Sequence, residues 1–191
     1  LHVRFLATHQ SCEGAGHLDL HRRITEVGYA GYHAQICADA SIPSDATAMM
    51  GTAANMHYAA VAAEADEGVE VVAVITAGVE GNATCAGDPA RWRESDAGIE
   101  KVPAFAGTIN TMLLINRPLT PAALARSAIT MTEGKSAALR RLAVPSRQSM
   151  DLATGTGTDQ YCIAAPARPD GVRTSASPHM KLGELIGLAT R

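Results

Sequence analysis

The chain has 191 residues, of which 47% are hydrophobic and 18% are charged, and its formal net charge is −3. This length and this balance predict one folded globular domain rather than a disordered chain. With only two Phe, one Trp and four Tyr and no excess of basic residues, the composition provides neither a base-stacking surface nor a basic patch, so we expect no nucleic acid and no membrane as a partner.

The first half of the chain predicts a helix, a strand and a long loop. Apolar residues between positions 17 and 40 follow a mainly helical spacing, which Gly28 and Gly31 interrupt. The run V-E-V-V-A-V-I-T-A-G-V at 69–79 is rich in Val and Ile and apolar on both faces, which predicts a central strand covered on both sides. Residues 80–101 are rich in Gly, Asp and charge and have no period, so we expect a functional loop there.

The second half predicts two more strands and two helices. Residues 107–116 end in the apolar run M-L-L-I-N, and residues 160–165 contain Y-C-I-A-A; both patterns indicate strands. A helix begins with Thr120 as its N-cap and Pro121 at its first position, and Leu119 forms a hydrophobic staple with the helical Leu124.

The same helix is amphipathic, and a second amphipathic helix follows near the end of the chain. Pro145 ends the first helix, and the Ser177–Pro178 pair caps the second. The apolar stripe of the first helix consists of Leu124, Ala128, Met131, Ala138 and Leu142. This order of strands and helices predicts a single α/β domain, with a mixed β-sheet and helices packed on its faces.

Three polar segments that contain glycine follow or begin the predicted strands, at 76–82, 107–111 and 154–159. In open α/β sheets ligands bind where loops leave the strand ends, because backbone N–H groups and short side chains converge there. Glycine lets the backbone approach a ligand, and Thr, Asn and Asp provide directed hydrogen bonds. We therefore predict one substrate-binding cleft, formed by Thr76, Gly78, Asn82, Thr108, Asn110, Thr111, Gly155, Gly157 and Thr158.

The cysteines indicate the compartment. Cys12, Cys37, Cys85 and Cys162 are scattered and form no C-x-x-C pair, which is typical of free thiols in a reducing cytoplasm. The start of the sequence lacks the long apolar stretch of a secretory signal, and no run of eighteen apolar residues predicts a transmembrane helix. We therefore expect a cytoplasmic protein.

The segment H-Q-S-C-E-G-A-G-H places His9, Cys12 and His17 at a spacing that zinc could use. No second paired set of ligands follows, which disfavours a structural zinc finger, and a polar segment near the substrate is the alternative interpretation. A metal-dependent hydrolase that uses these three residues remains an open alternative. No G-x-S-x-G motif occurs, which disfavours a serine hydrolase.

Six motifs occur in the order that is found in the adenosylcobinamide amidohydrolases, and residues 46–165 resemble that family most strongly. The motifs are T-A-G-V-E-G-N at 76–82, A-G-D-P at 86–89, G-T-I-N-T-M-L-L-I-N at 107–116, T-E-G-K at 132–135, V-P-S-R at 144–147 and L-A-T-G-T-G-T-D at 152–159. H-Q-S-C-E and M-G-T-A-A-N are similar to one bacterial branch of the family. This chain departs from the family in having fewer residues between V-R-F and H-Q-S-C-E.

The resemblance implies hydrolysis of the amide that joins the corrin ring's side chain to 1-amino-2-propanol in adenosylcobinamide. The corrinoid is then the substrate, and no cofactor is required. Because a corrinoid is large, we expect a wide pocket, which the subunits of a homodimer could share. A non-catalytic corrinoid-binding protein is the alternative.

Amide hydrolysis requires a general base, a stabilised oxyanion and a proton for the departing nitrogen. Glu80 and Asp159 are the candidates for the base, and Lys135 or a protonated carboxylic acid is the candidate proton donor. Glu133 accompanies Lys135 in the T-E-G-K motif, and a solvated helix face is the alternative interpretation for this pair.

The candidate oxyanion donors are amides. The backbone N–H groups of the turn at 155–158 are one set, because successive N–H groups of a glycine-containing turn can converge on an anion. The side chains of Asn82 and Asn110 are the other set.

Overall fold

The computed structural model describes residues 3–10, 17–101 and 107–191, which form an α/β arrangement. In chain order the elements are β1 (Phe5–Gln10), α1 (His17–Asp39), β2 (Thr47–Thr52), β3 (Ala60–Asp66), β4 (Val69–Ala77), β5 (Ala83–Thr84), β6 (Trp92–Ser95), β7 (Gly98–Lys101), β8 (Ile109–Ile115), α2 (Pro121–Arg141), β9 (Gly155–Thr156), β10 (Gln160–Ala164) and α3 (Lys181–Thr190). Within these ranges no helix is long and apolar enough to cross a membrane.

Four strands form the central sheet, in the order β10-β8-β4-β3. β10 and β8 are parallel, whereas β8, β4 and β3 pair antiparallel, so the predicted mixed sheet is confirmed. The strand predicted at 69–79 is β4, which ends at Ala77, and the strand predicted at 107–116 is β8. The predicted helix at 17–40 is α1, which is non-helical at Gly28 (φ 70°).

One face of the sheet packs against α2 and α3. Val71, Leu113, Met131 and Ile186 meet in this core, and none of them is more than 4% exposed. Burying one such side chain contributes about 1.5–3 kcal/mol. On the other face β4 carries the exposed Glu70 at one end and the buried Thr76 at the other, so the predicted cover on both sides is present only at the Thr76 end; α2 and α3 pack against each other on the core face.

α2 begins as predicted. The hydroxyl of Thr120 accepts a hydrogen bond from the N–H of Ala123 at 3.2 Å, and Pro121 occupies the first turn. Leu124 is 40% exposed, whereas Leu119 packs against the core. Leu119 therefore connects the helix start to the core, and its predicted staple with Leu124 stays a prediction.

The face that α2 buries also differs from the prediction. Leu142, predicted to belong to the apolar stripe, is 74% exposed. The buried positions are mostly small residues, because α3 approaches α2 closely: a Cβ at Gly134 would overlap the hydroxyl of Thr190.

α3 begins at Lys181, three residues after the predicted Ser177–Pro178 cap. The N–H of Met180 donates to the carbonyl of Ser177 at 2.9 Å, which forms a turn before the helix. The Ser177 carbonyl also lies against the backbone of Gly183, where a Cβ would overlap it.

The predicted loop at 80–101 contains three short strands. β5 pairs with β9, and β6 pairs with β7 in an antiparallel hairpin with Trp92 opposite Lys101. The side chains of β6 are all exposed, so this strand has no buried face and its sequence has no apolar period.

The N-terminal residues form a parallel βαβ unit, in which α1 connects β1 to β2. β1 continues without interruption from Phe5 to Gln10, so the shortened spacing between V-R-F and H-Q lies within one strand. β2 lies against β8 and β10, and the carbonyl of Gly51 accepts hydrogen bonds from the side chains of Asn110 and Gln160. The M-G-T-A-A-N motif is thereby placed beside one end of the central sheet.

Candidate functional site

The three glycine-containing segments lie together at one end of the central sheet. The side chain of Asn82 donates to the carbonyl of Gly107 at 2.9 Å and to the hydroxyl of Thr158 at 3.4 Å. The hydroxyl of Thr108 donates to the Thr158 carbonyl at 2.6 Å, and the N–H of Gly78 donates to the Thr108 carbonyl at 2.8 Å. The structure therefore joins all three segments in one hydrogen-bonded cluster, and their role in substrate binding stays a prediction.

Glycine is required where two of the segments meet. Gly107 has a φ of 155°, and a Cβ there would lie 2.5 Å from the carbonyl oxygen of Gly78 and 3.2 Å from the Cβ of Asn82. Any other residue would push the strand ends apart.

Asp159 is surrounded by donors. Its Oδ1 accepts hydrogen bonds from the N–H of Ile109 at 3.1 Å, the N–H of Thr156 at 3.0 Å and the hydroxyl of Thr156 at 2.6 Å. Its Oδ2 forms an ion pair with the ammonium of Lys135, and the two side chains are 19% and 17% exposed. This geometry favours a positioning role for Asp159, because both of its oxygens are already bonded.

Gly155 makes room for this ion pair. A Cβ at Gly155 would overlap Oδ2 of Asp159 and would lie 2.8 Å from Nζ of Lys135. The pair therefore rests directly against bare backbone.

The predicted oxyanion donors are bonded to the protein itself. The N–H of Gly157 donates to the backbone carbonyl of Asn82 at 3.3 Å, and the N–H of Thr158 donates to the Thr156 hydroxyl at 3.4 Å. The N–H of Thr156 and the side-chain amide of Asn82 are engaged as described above. In this arrangement the turn stabilises its own conformation.

Lys135 is a second candidate source of hydrogen-bond donors for a ligand. Its ammonium group carries three N–H bonds, and the ion pair with Asp159 uses one of them. Within the described ranges no other acceptor contacts this ammonium, so two N–H bonds can point at a ligand from a fixed position on α2.

Thr76 and Asn110 are neighbours on β4 and β8 and are 2% and 1% exposed. The amide nitrogen of Asn110 donates to the Thr8 hydroxyl at 3.0 Å and to the Gly51 carbonyl at 2.9 Å. The hydroxyl of Thr76 and Oδ1 of Asn110 are buried without a hydrogen-bond partner in the part of the chain that the structure describes. These two polar side chains lie beneath β2.

Three predicted site residues lie apart from these contacts. Glu80 is exposed in the turn between Gly78 and Asn82, and Glu133 is exposed on α2. Thr111 is buried beside Ile75, on the sheet face that α2 and α3 cover. Within the described ranges, no hydrogen bond joins any of the three to the cluster around Asn82.

Asp88 was not singled out by the sequence, although its motif A-G-D-P was. Its Oδ2 accepts hydrogen bonds from the Ser146 hydroxyl at 2.6 Å and the N–H of Cys85 at 2.7 Å. Hydrogen bonds from Ser146, Ser149 and Cys85 hold the pKa of the Asp88 carboxyl well below its ordinary value of 3.8. Asp88 thus ties A-G-D-P to V-P-S-R, and the occurrence of both motifs was the available signal.

Thr154 connects this loop pair to α2. Its hydroxyl accepts a hydrogen bond from the N–H of Ala86 at 2.9 Å, and its carbonyl accepts one from the Ser136 hydroxyl at 3.1 Å. The turn that carries Asp159 is therefore attached both to the loops and to the helix of Lys135.

His9 has a partner outside the predicted metal set. Its Nδ1 lies 3.3 Å from the hydroxyl of Tyr32, and burial together with the nearby Arg23 lowers the pKa of His9. Cys12 and the side chain of His17 lie outside the described residues. Among the residues that are described, no three His, Cys, Asp or Glu side chains form a group that could hold a metal ion. The metal-dependent alternative stays a prediction.

Comparison with known proteins agrees with the motif order. A family model described as adenosylcobinamide amidohydrolase matches residues 2–191. A protein of Methanocaldococcus jannaschii, described as uncharacterized, is 36% identical over 172 residues, which cover 85% of this chain and 67% of that protein. The chain therefore belongs to the adenosylcobinamide amidohydrolase family.

Proposed function

We propose that the protein hydrolyses the amide that joins the corrin side chain to 1-amino-2-propanol in adenosylcobinamide, which releases adenosylcobyric acid and the amino alcohol. The observation that carries this proposal is the match of the amidohydrolase family model over nearly the whole chain. The convergence of three family motifs at one end of the sheet supports it, because ligands of α/β proteins bind at strand ends.

In this proposal Lys135 stabilises the oxyanion that forms when water attacks the amide carbon. Its ammonium is fixed by Asp159 and retains two N–H bonds for a ligand. A positive charge held in place before the reaction stabilises developing negative charge without reorganisation. Asp159 then acts as a positioning residue.

Glu80 is the proposed general base. Its carboxylate is exposed within T-A-G-V-E-G-N, the segment that also contributes Gly78 and Asn82 to the cluster. The carboxylate takes a proton from the attacking water and returns it to the departing nitrogen, so that the C–N bond breaks and the amine leaves neutral. Glu133 has no role in this proposal, because its side chain is exposed on α2.

The test is incubation of the purified protein with adenosylcobinamide, followed by chromatography and mass spectrometry for adenosylcobyric acid. We expect product to accumulate with time and in proportion to enzyme. Tight binding of adenosylcobinamide without product would instead establish a non-catalytic corrinoid-binding protein.

A further inference from the structure

The sheet face opposite α2 and α3 carries two apolar rows that cross all four strands. Residues paired across neighbouring strands point to the same face, so the strand register defines each row. The first row is Ala63, Val72, Leu114 and Ala164. The second row is Val61, Val74, Met112 and Cys162. We name these eight residues the apolar band.

The apolar band is partly open to solvent. Val61 is 68% exposed and Leu114 is 39% exposed. A groove of about 310 Å³ runs along the first row, lined by Val72, Leu114 and Ala164. A solvent-exposed sheet face normally carries polar residues, so an exposed apolar face of this kind indicates a binding surface.

Polar residues border the apolar band at both ends. Thr76, Asn110 and Gln160 form the next row at the end near β2. Glu70 and Asn116 border the other end, where the Asn116 side chain accepts a hydrogen bond from the N–H of Glu70 at 2.9 Å. Thr76 and Asn110 are buried beneath β2, so the polar side chains that a ligand on the band can reach are Gln160 at one end and Glu70 and Asn116 at the other. The surface therefore fits a flat ligand with apolar faces and polar groups at its edge.

The area of the apolar band indicates a small ligand rather than a protein partner. Four strands about 4.8 Å apart give a width of about 14 Å, and the polar rows at its ends lie about 20 Å apart. The resulting area, roughly 280 Å², is well below the roughly 800 Å² per partner that a stable protein interface buries. A second copy of the chain would need much more surface than the band provides.

We propose that the apolar band binds the macrocycle of a corrinoid, an inference that rests on the proposed function for the identity of the ligand. A corrin is a nearly flat ring with methyl groups on its faces and carboxamides around its edge, which matches an apolar surface between polar rows. Thr76 belongs both to the polar border and to the first of the three site segments. Val72 and Thr76 are four residues apart on β4, or about 13 Å, which gives the distance from the band to the candidate site. Thr76 itself is buried, whereas Gln160 of the same row is exposed and directly follows Asp159, so a side chain of the ring can extend to the site along the Gln160 edge.

The first test is substitution within the band. Leu114→Gln and Val61→Gln place a polar group where the ring would lie, and Leu142→Gln, at an exposed leucine of α2, is the matched control. We expect each band variant to raise the Kd for adenosylcobinamide about tenfold and to raise KM in parallel with little change in kcat, whereas the control binds as the wild type does. Unchanged Kd values in both band variants would overturn the proposal.

The second test uses Cys162, a member of the band, and needs no substitution. Burial raises the pKa of its thiol, so maleimide labelling is carried out at mildly alkaline pH and read by peptide mass mapping. We expect adenosylcobinamide to slow labelling of Cys162 several-fold and to leave Cys85 unaffected. Equal labelling with and without the corrinoid would contradict the proposal.

The outcomes separate this inference from the proposed function. If the band variants hydrolyse adenosylcobinamide with unaltered Kd and KM, the band does not bind the corrinoid, but the proposed hydrolytic function stands. If the band variants weaken corrinoid binding but the wild type hydrolyses nothing, the band binds the corrinoid and the proposed hydrolytic function is refuted. A dimer would give a different result: Cys162 would become protected as the protein concentration rises, without any corrinoid. If light scattering then shows a dimer that Leu114→Gln dissociates, the surface binds a second copy of the chain, and the proposal is overturned.

Discussion

Lys135 of α2 forms an ion pair with Asp159, the residue immediately before β10, and less than a fifth of either side chain is exposed. Asp159 also accepts hydrogen bonds from the N–H groups of Ile109 and Thr156. One carboxylate thus fixes a helix, a strand start and a turn in relation to one another. Its contribution to stability and its contribution to catalysis can be measured separately.

Asp159→Asn should destabilise the fold, because it removes the charge that partners a largely buried ammonium. We expect a loss of about 1.5–3 kcal/mol in the free energy of unfolding, the usual range for a hydrogen bond to a charged group. Lys135→Met should cost less, since Asp159 keeps its three other donors. Urea unfolding measures both, and Lys181→Met is the control, because the Lys181–Glu184 pair is about half exposed and solvent screens it, so its loss should change the free energy of unfolding much less. Equal losses in the exposed and the buried pair would contradict this account.

Gly155→Ala should disturb the same ion pair without changing any charge. Its Cβ would overlap Asp159 and lie 2.8 Å from Nζ of Lys135, so we expect a loss of about 1–3 kcal/mol, as is usual for overpacking. Gly187→Ala is the matched control, because nothing lies within 4 Å of its added Cβ and the position is within α3. Thermal unfolding should show a clear decrease in the melting temperature of Gly155→Ala and none in that of Gly187→Ala. The reverse order would refute the close contact at Gly155.

Glu80→Gln tests the proposed base. Loss of a general base typically lowers kcat by about 10²–10⁴-fold, and the exposed position of Glu80 predicts no change in the free energy of unfolding. The exposed Glu67, in the turn between β3 and β4, provides the control Glu67→Gln. Product formation from adenosylcobinamide is the measurement. Wild-type turnover in Glu80→Gln would exclude Glu80 as the base.

Asp88 predicts a pH dependence of stability. Its pKa in the folded protein lies below the ordinary value of 3.8, so the stability that it contributes is fully present above that value and is lost as the pH falls toward the folded pKa. The wild type should therefore lose more stability than Asp88→Asn between about pH 5 and pH 2, because over this range the unfolded chain takes up a proton on this carboxyl while the folded protein still holds it ionised. Unfolding free energies of both proteins across this range are the measurement. Ser146→Ala should show an intermediate dependence, and parallel curves for all three proteins would contradict the assignment.

The sequence by itself determined the elements whose signals are local. The Val and Ile density of β4 and the Thr120–Pro121 start of α2 predicted both elements, because strand propensity and helix capping act between residues close in the chain. The ordered motifs also predicted the family. The same local pattern misassigned Leu124 and Leu142, because amphipathicity alone does not reveal how closely α3 approaches α2.

Only the tertiary structure decided which groups at the candidate site are free to act. The sequence proposed Asp159 as a base and the turn N–H groups as oxyanion donors; the structure shows the same atoms bonded to Lys135, Ile109 and Asn82. The apolar residues on both faces of β4 predicted that other elements cover both faces. In the structure α2 and α3 pack on one face, and the residues of the apolar band lie on the other. These outcomes depend on contacts such as that between Asn82 and Thr158, 76 residues apart, which the path of the chain sets and no local pattern contains.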